Sequence, residues 1–561
     1  VAISMSPSVI IKETDLSTSV PQPASSITGC VGQFNKGPCL ERKLITNVRS
    51  LESTFGVPTD ANYIDWYAAW NVLQYNQLLY VVRAAADDCR NAGLGIGSTM
   101  TINVDVSDRR INDQVEFDAN NITFNTDEVL RILARYPGEY GNEILVSVCD
   151  NVNYTTQVVT GNSVMADYFD RPMLEPNEIA ILVHDKDPAD PSQYIVVERF
   201  IVSTDPSAKD FNGNTLWVGE HINRNSNYIA AYTDQSVPFQ VVSFSTLSLV
   251  EGDDGILDSG DFDACYDLFA NPEEFDINII LDNHNTSVFG TSASLAVSQQ
   301  YIIDNICETR KDCVAILSPF RGDVVGNAGN EATDMVNYCN TILNRSSSYA
   351  ALYGNWKYQY DRYNDKYRWM PLSGDVAGIY ARTDLTREVW FAPAGLNRGQ
   401  VKNVVKFAFN PDKATRDIMH KNRVNIVTAF PGDGPVVFSQ LTLLRKPSAF
   451  GDIDVRRLFI YMEKAISTAS KYFLFEKNTP FTRRQMFNMI DPFLRDIQGR
   501  EGITDYRVIV DDSNNTGEVI DRNEMIVDIY VKPTRSIYYL QLNFINTKTG
   551  VNFEEIIPRQ V

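Results

Sequence analysis

The stretch 275–317, "FDINIILDNHNTSVFGTSASLAVSQQYIIDNICETRKDCVAIL", places a short β-prone apolar run (275–282) before a segment of helical length (292–310) and a second apolar run (313–317). The alternation continues with "EATDMVNYCNTILNR" (331–345) and "YAALYGN" (349–355). Strand, helix, strand, helix, strand in that order predicts a parallel α/β layer. Ligands in such layers sit beyond the carboxyl ends of the strands, where Asp282, Asn283, His284 and Ser318 fall, so this is the first place to look for an enzyme. No G-x-G-x-x-G follows a strand, however, and neither G-x-x-x-x-G-K-[ST] nor G-x-S-x-G occurs. The "GLGIG" at 93–97 has the wrong spacing for a phosphate loop and reads as a flexible turn. The expectation is a protein that is not an enzyme and needs no cofactor.

Around this layer, 561 residues exceed what one hydrophobic core organises, so several domains are expected. The four histidines, His184, His221, His284 and His420, are isolated from one another, which leaves metal ligation and histidine catalysis little to work with. The eight cysteines include no C-x-x-C pair and read as reduced, buried thiols. No apolar run is long enough to span a membrane, and "VAISMSPSV" has neither a basic nor an apolar signal region, so no membrane insertion is expected. A net charge of −21 disfavours nucleic acid as a partner, because that binding relies on phosphate neutralisation. Residues 1–354 carry 20 basic and 47 acidic side chains, and residues 355–561 carry 30 and 24. Two surfaces with different partners would explain this, and so would acidic loops in the first half.

Residues 90–265 hold short alternating runs, "EILVSVCD", "EIAILVHD" and "QYIVVERFIV", separated by turn clusters, and read as a β-rich acidic insertion. Its loop "EGDDGILDSGDFDA" (251–264) lacks the ligand order of an EF-hand and reads as solvated. At 355–370, "NWKYQYDRYNDKYRWM" interleaves aromatics with both signs of charge. A protein docking surface, a base-stacking platform and a partly buried hairpin are all compatible with it. Trp356, Tyr360, Arg362 and Trp369 are the candidate packing-surface residues.

The C-terminal third predicts a long amphipathic helix over 455–473, with Arg456, Lys464 and Lys471 off its apolar face. A second helix is expected to start at a capping box of Thr482 and Gln485, with Phe481 and Met486 as staple, and to kink or end at Pro492. Three strands follow, "YRVIV", "EMIVDIYV" and "SIYYLQLNF", the last alternating Tyr538, Leu540, Leu542 and Phe544 with polar residues. At the other end "SVIIKET" (8–14), containing Val9, Ile10 and Ile11, precedes a Ser/Thr/Pro linker. Terminal strands on linkers suit addition to a neighbour's sheet, although pairing within the subunit is as common.

Jointly, "TFGVPT" (54–59), "LYVVRA" (79–84), "YPGEYGN" (136–142), "NWKYQYDRYNDKYRWMPL" (355–372), "DVAGIYARTD" (375–384), "APAGLNRGQ" (392–400), "VRRLF" (455–459), "SKYFLFEKNTPFTR" (470–483) and "NNTGEVIDRNE" (514–524) resemble the tail sheath proteins of contractile bacteriophages of the T4-like myovirus type. The match fades between about 90 and 130, so an outer decoration of the largest members is expected to be reduced or absent. The resemblance implies a structural subunit of the virion, assembled in the host cytoplasm, that stacks as hexameric rings into a helical sleeve around the tail tube. Baseplate and tail terminator proteins are its other implied partners, and contraction drives the tube through the host envelope. Strand exchange between subunits would use Val9, Ile10, Ile11, Tyr538, Leu540, Leu542 and Phe544. The innermost, tube-facing surface would draw on Arg456, Lys464, Lys471, Arg483 and Arg484.

The expected layout is therefore an α/β and α+β multidomain chain: an N-terminal arm (1–20), a middle α/β domain in two pieces (21–88 and 266–430) and a β-rich outer insertion (89–265). An inner C-terminal domain with two helices and three strands (431–535) and a C-terminal strand or arm (536–561) complete it. A sheath from a bacteriocin-like or cellular contractile injection system is the alternative owner. An α/β enzyme using the crevice near Asp282 and His284 is the remote one.

Overall fold

The computed structural model describes residues 20 and 23–542, apart from 98–100, 103–109, 121, 123, 126, 161–162, 173, 188–189, 191, 234–239 and 242. The chain divides into two compact units, 1–475 and 476–561.

The first unit is built on an eight-stranded sheet in the order Lys43–Ile45, Leu79–Arg83, Thr28–Gly32, Ile279–Leu281, Val314–Leu317, Ala350–Gly354, Val424–Phe430, Gly434–Val437. Every pairing from Leu79–Arg83 to Val424–Phe430 is parallel, and the outermost strand at each edge is antiparallel. The strands expected from the alternation at 275–355 form where the sequence places them, with helices Ser292–Tyr301 and Glu331–Asn337 as crossovers. Their continuous apolar character follows from burial: Ile280, Ala315, Ile316, Ala351 and Leu352 are each fully enclosed, as helix-covered parallel strands must be.

The chain leaves this sheet after Arg83 and returns at Ile279, having built two antiparallel four-stranded sheets in between. One runs Tyr194–Ser203, Glu178–Lys186, Leu145–Asp150, Phe244–Ser248; the other runs Ile229–Thr233, Glu128–Ala134, Gly93–Gly97, Thr101–Ile102. Val146, Val148, Ile181, Val183, Leu130, Ile132 and Ile96 form their shared core. The "GLGIG" expected as a turn is a fully buried strand. Its alternation of glycine with Leu94 and Ile96 is the period-2 signal of a strand, which the phosphate-loop comparison obscured. The acidic loop is largely occupied structurally: Asp254 pairs with Arg83 at 3.1 Å, Asp253 with Arg90 at 3.1 Å, and Asp258 caps helix Ser259–Asp267.

The long helix runs Ile453–Ser470. In the second unit, helix Pro480–Gly499 is followed by the antiparallel pair Ile503–Ile509 and Asp528–Pro533. Two expectations are corrected here. The N-cap is Thr479, whose Oγ1 accepts the Thr482 amide at 3.3 Å, rather than Thr482. Pro480 then occupies the first turn, where its missing N–H costs nothing. Nor does Pro492 end the helix. The buried stripe Met486, Met489, Ile490, Leu494, Ile497 continues across it, and two more buried side chains at about 1.5–3 kcal/mol each offset a penalty of about 3 kcal/mol for an internal proline. Thr479→Ala is expected to lower stability by about 1 kcal/mol in chemical denaturation, with Thr482→Ser nearly neutral.

Only two of the three expected C-terminal strands form among the described residues. Residues 534–542 carry no strand assignment, and 543–544 lie outside the described residues.

Candidate assembly surfaces

The aromatic stretch is a hairpin, Trp356–Asp361 paired with Lys366–Pro371 in the register Tyr358↔Trp369 and Tyr360↔Tyr367. Alternation in "WKYQYD" reads as two faces, aromatic and polar, and the intuitive assignment buries the aromatic one. The structure does the reverse along most of the strand: Lys357, Gln359 and Asp361 are buried, while Tyr360 is 44% exposed.

Asp361 explains this inversion. Its carboxylate accepts from Tyr67 Oη at 2.9 Å, Asn364 Nδ2 at 2.9 Å, Arg368 Nε at 2.8 Å and the Tyr363 amide at 3.0 Å. Burial would raise the carboxyl, but the hydrogen bonds from Asn364, Tyr67 and Arg368 outweigh it and hold it below the usual carboxylate range. A satisfied buried carboxylate fixes the strand's orientation because an unsatisfied one would be costly. Trp356, placed on a packing surface by the sequence reading, is instead fully buried, with Nε1 donating to the Pro319 carbonyl at 2.9 Å and its ring edge-on to His284. Trp369 is half-buried against Tyr358 at 4.8 Å. Tyr360 and Arg362 are exposed; Tyr360 donates to Asp365 at 2.6 Å and Arg362 to Glu52 at 2.9 Å.

The five cationic candidates separate in the same way. Arg456 is buried under the rings of Phe450 and Tyr349, 3.9 and 4.4 Å from its guanidinium, because the first half of its helix is enclosed on nearly all sides. Arg483 is buried and paired with Asp512 at 2.5 Å. Lys464 is bound to Asp276. Lys471 and Arg484 are exposed.

Of the arm residues, Val9, Ile10, Ile11 and Phe544 lie outside the described residues. Tyr538, Leu540 and Leu542 are described and exposed, within a run whose Ile537, Tyr539, Leu540 and Leu542 are 83%, 87%, 77% and 67% accessible. The strands before this run are themselves little buried, with only Ile503 fully enclosed in Ile503–Ile509 and no residue fully enclosed in Asp528–Pro533. Sequence reasoning missed a second exposed apolar cluster, Tyr472, Leu474 and Phe475, at the end of the first unit. Its signal was present in "KYFLF", an apolar run continuing past the last helical turn.

The crevice residues do converge, but inside the core. Asp282 Oδ2 receives Ser318 N at 2.7 Å, Gln299 Nε2 at 2.8 Å and His284 Nε2 at 2.8 Å, and Asn283 Nδ2 donates to the Val31 carbonyl at 2.8 Å. Asp282, Asn283, His284 and Ser318 are all buried, so this polar cluster locks strand ends together and presents no open face. Among the described residues no group of three or more His, Cys, Asp or Glu side chains is placed to hold a metal, and no helix is long and apolar enough to cross a membrane.

With this geometry established, comparison places the chain. Residues 275–443 match the phage tail sheath protein central domain and residues 445–546 the phage tail sheath C-terminal domain. The tail sheath protein of Vibrio phage KVP40 is 36% identical over 76% of this chain and 66% of its own length. That of Enterobacteria phage T4 is 29% identical over 98% of this chain and 99% of its own. A crystal structure of a sheath tail protein from Listeria innocua shares the mixed α/β fold, with a TM-score of 0.53 and 12% identity over 92% of this chain and 96% of that one. The chain therefore belongs to the phage tail sheath protein family, the structural subunits of contractile tails.

Proposed function

We propose that this sheath subunit polymerises into stacked hexameric rings around a tail tube, through terminal segments that complete the sheets of adjoining copies. The observation that carries this reading is the state of residues 503–542: a two-stranded sheet with little burial, followed by an alternating run whose apolar side chains are exposed. A two-stranded sheet is marginal by itself in water, and its open edges offer a row of main-chain donors and acceptors that an incoming strand satisfies. A head-to-tail contact repeated in this way does not close on itself and generates a filament.

Contraction then needs no reaction chemistry. An extended packing held by interface contacts is metastable, and subunits turn as rigid bodies while the arms keep the mesh connected. The sleeve shortens and drives the tube through the host envelope, with baseplate and terminator proteins at its two ends. The β-rich segment between Arg83 and Ile279 is assigned to the outer surface of the sleeve. Assembly takes place in the host cytoplasm. The likeness to the T4 protein over nearly the whole chain favours a phage tail over a capsid-free injection particle.

Electron microscopy of the purified protein is expected to show striated cylinders, and protein that stays monomeric at high concentration would overturn the reading. Of the cationic candidates, Lys471 and Arg484 remain available for an acidic tube surface. Reversing both to Glu is expected to weaken assembly on tubes while leaving the protomer's melting temperature unchanged. Unaltered tube binding would move the contact elsewhere.

A further inference from the structure

Helix Tyr63–Leu73, strand Trp356–Asp361 and helix Ser373–Thr386 bring Asn71, Lys357 and Asp375 together, and all three are fully buried. Lys357 Nζ lies 2.7 Å from Asp375 Oδ2 and donates to Asn71 Oδ1 at 3.0 Å. It also reaches the Lys402 carbonyl at 3.3 Å, while Tyr75 Oη donates to Asp375 Oδ1 at 3.1 Å. The Asn71 amide nitrogen is buried without a hydrogen-bond partner. An amine held against a side-chain amide, a carboxyl beside that amine and an unheld amide nitrogen are the components of an acyl transfer: nucleophile, proton carrier and leaving group.

We propose that Lys357 and Asn71 form an intramolecular isopeptide cross-link, with Asp375 carrying the proton. Transfer of one proton from Lys357 to Asp375 across their 2.7 Å contact leaves Lys357 as a free amine. Nζ attacks Asn71 Cγ, Asp375 donates its proton to Nδ2 and takes one from Nζ, the Cγ–Nδ2 bond breaks, and ammonia departs. One amide replaces another, and no oxidant or co-reactant enters. Burial acts in the required direction on both partners, lowering Lys357 and raising Asp375 toward their uncharged forms. The cost of keeping two desolvated charges supplies a reason for the chemistry, since the cross-linked product holds neither. The bond would close the chain between residues 286 positions apart, enclosing both antiparallel sheets in one covalent loop and restricting the unfolded chain as a long-range disulfide does.

An ordinary buried ion pair keeps every atom, so mass decides. The full-length protein, purified and denatured, is expected to be one ammonia lighter than its sequence, and its peptide map to contain a branched peptide joining the Asn71 and Lys357 segments. Asp375→Asn and Lys357→Arg are expected to restore the full mass and abolish the branch. Recovery of both segments as linear peptides from the wild-type protein overturns the proposal, whatever the variants do. Loss of ammonia confined to a linear peptide, as asparagine ring closure gives, overturns it equally.

Discussion

A chain truncated after residue 535 is expected to fold and remain monomeric, and one lacking residues 1–19 is expected to do the same. Among the described residues the cut removes 536–542, whose apolar side chains are exposed and which carry no strand assignment, so the sheets described above are expected to persist. What disappears is the strand donor, and with it every contact of that kind in the filament. A lattice built by repeating one contact loses assembly entirely rather than in proportion. Sedimentation and electron microscopy check this, with circular dichroism reporting on the fold. Sleeves of normal length from either truncation would remove the arms from the mechanism. Unfolding of the truncated chain would show instead that the segment belongs to its own protomer.

The largest destabilisation from a single substitution is expected at Arg457. Its guanidinium holds Asp384 through two hydrogen bonds, at 2.9 and 2.5 Å, donates to the Ser25 carbonyl at 3.2 Å and lies 5.0 Å from the Tyr380 ring centre. Both partners are almost fully buried. Arg457→Ala leaves a carboxylate enclosed without its counter-charge, a change that costs about 3–5 kcal/mol in buried pairs. Adding Asp384→Asn should return part of that loss, because the unpaired charge is the expensive element. Urea denaturation of the single and double variants measures both. A loss below about 1 kcal/mol for Arg457→Ala would mean that water reaches the site.

The legible parts of the fold were those in which local pattern and tertiary role coincide. "CVAIL" and "YAALYGN" are short and continuously apolar because helices cover both faces of their sheet, and that requirement is written into each residue. The same holds for "EIAILVHD" and for the stripe from Met486 to Ile497. The candidate surfaces were legible only in part. Arg456, Arg483 and Trp356 are residue types that commonly reach a surface, and periodicity placed Arg456 off an apolar stripe. Their burial depends on Phe450 and Tyr349, on Asp512, and on Pro319 and His284, none of which is within a helical turn of them.

Sequence alone determined the parallel layer, its interruption by a β-rich acidic segment, the helix-then-strands order near the C-terminus and membership in a sheath family. Each of these is carried by residues close together or by short motifs kept in order. Tertiary structure decided which face of "WKYQYD" turns inward, which cations stay free, and that Asp282 and His284 belong to the core. Those outcomes are set by hydrogen bonds and ion pairs between distant segments, where the cost of leaving one buried polar atom unsatisfied exceeds any local preference of the residue that carries it.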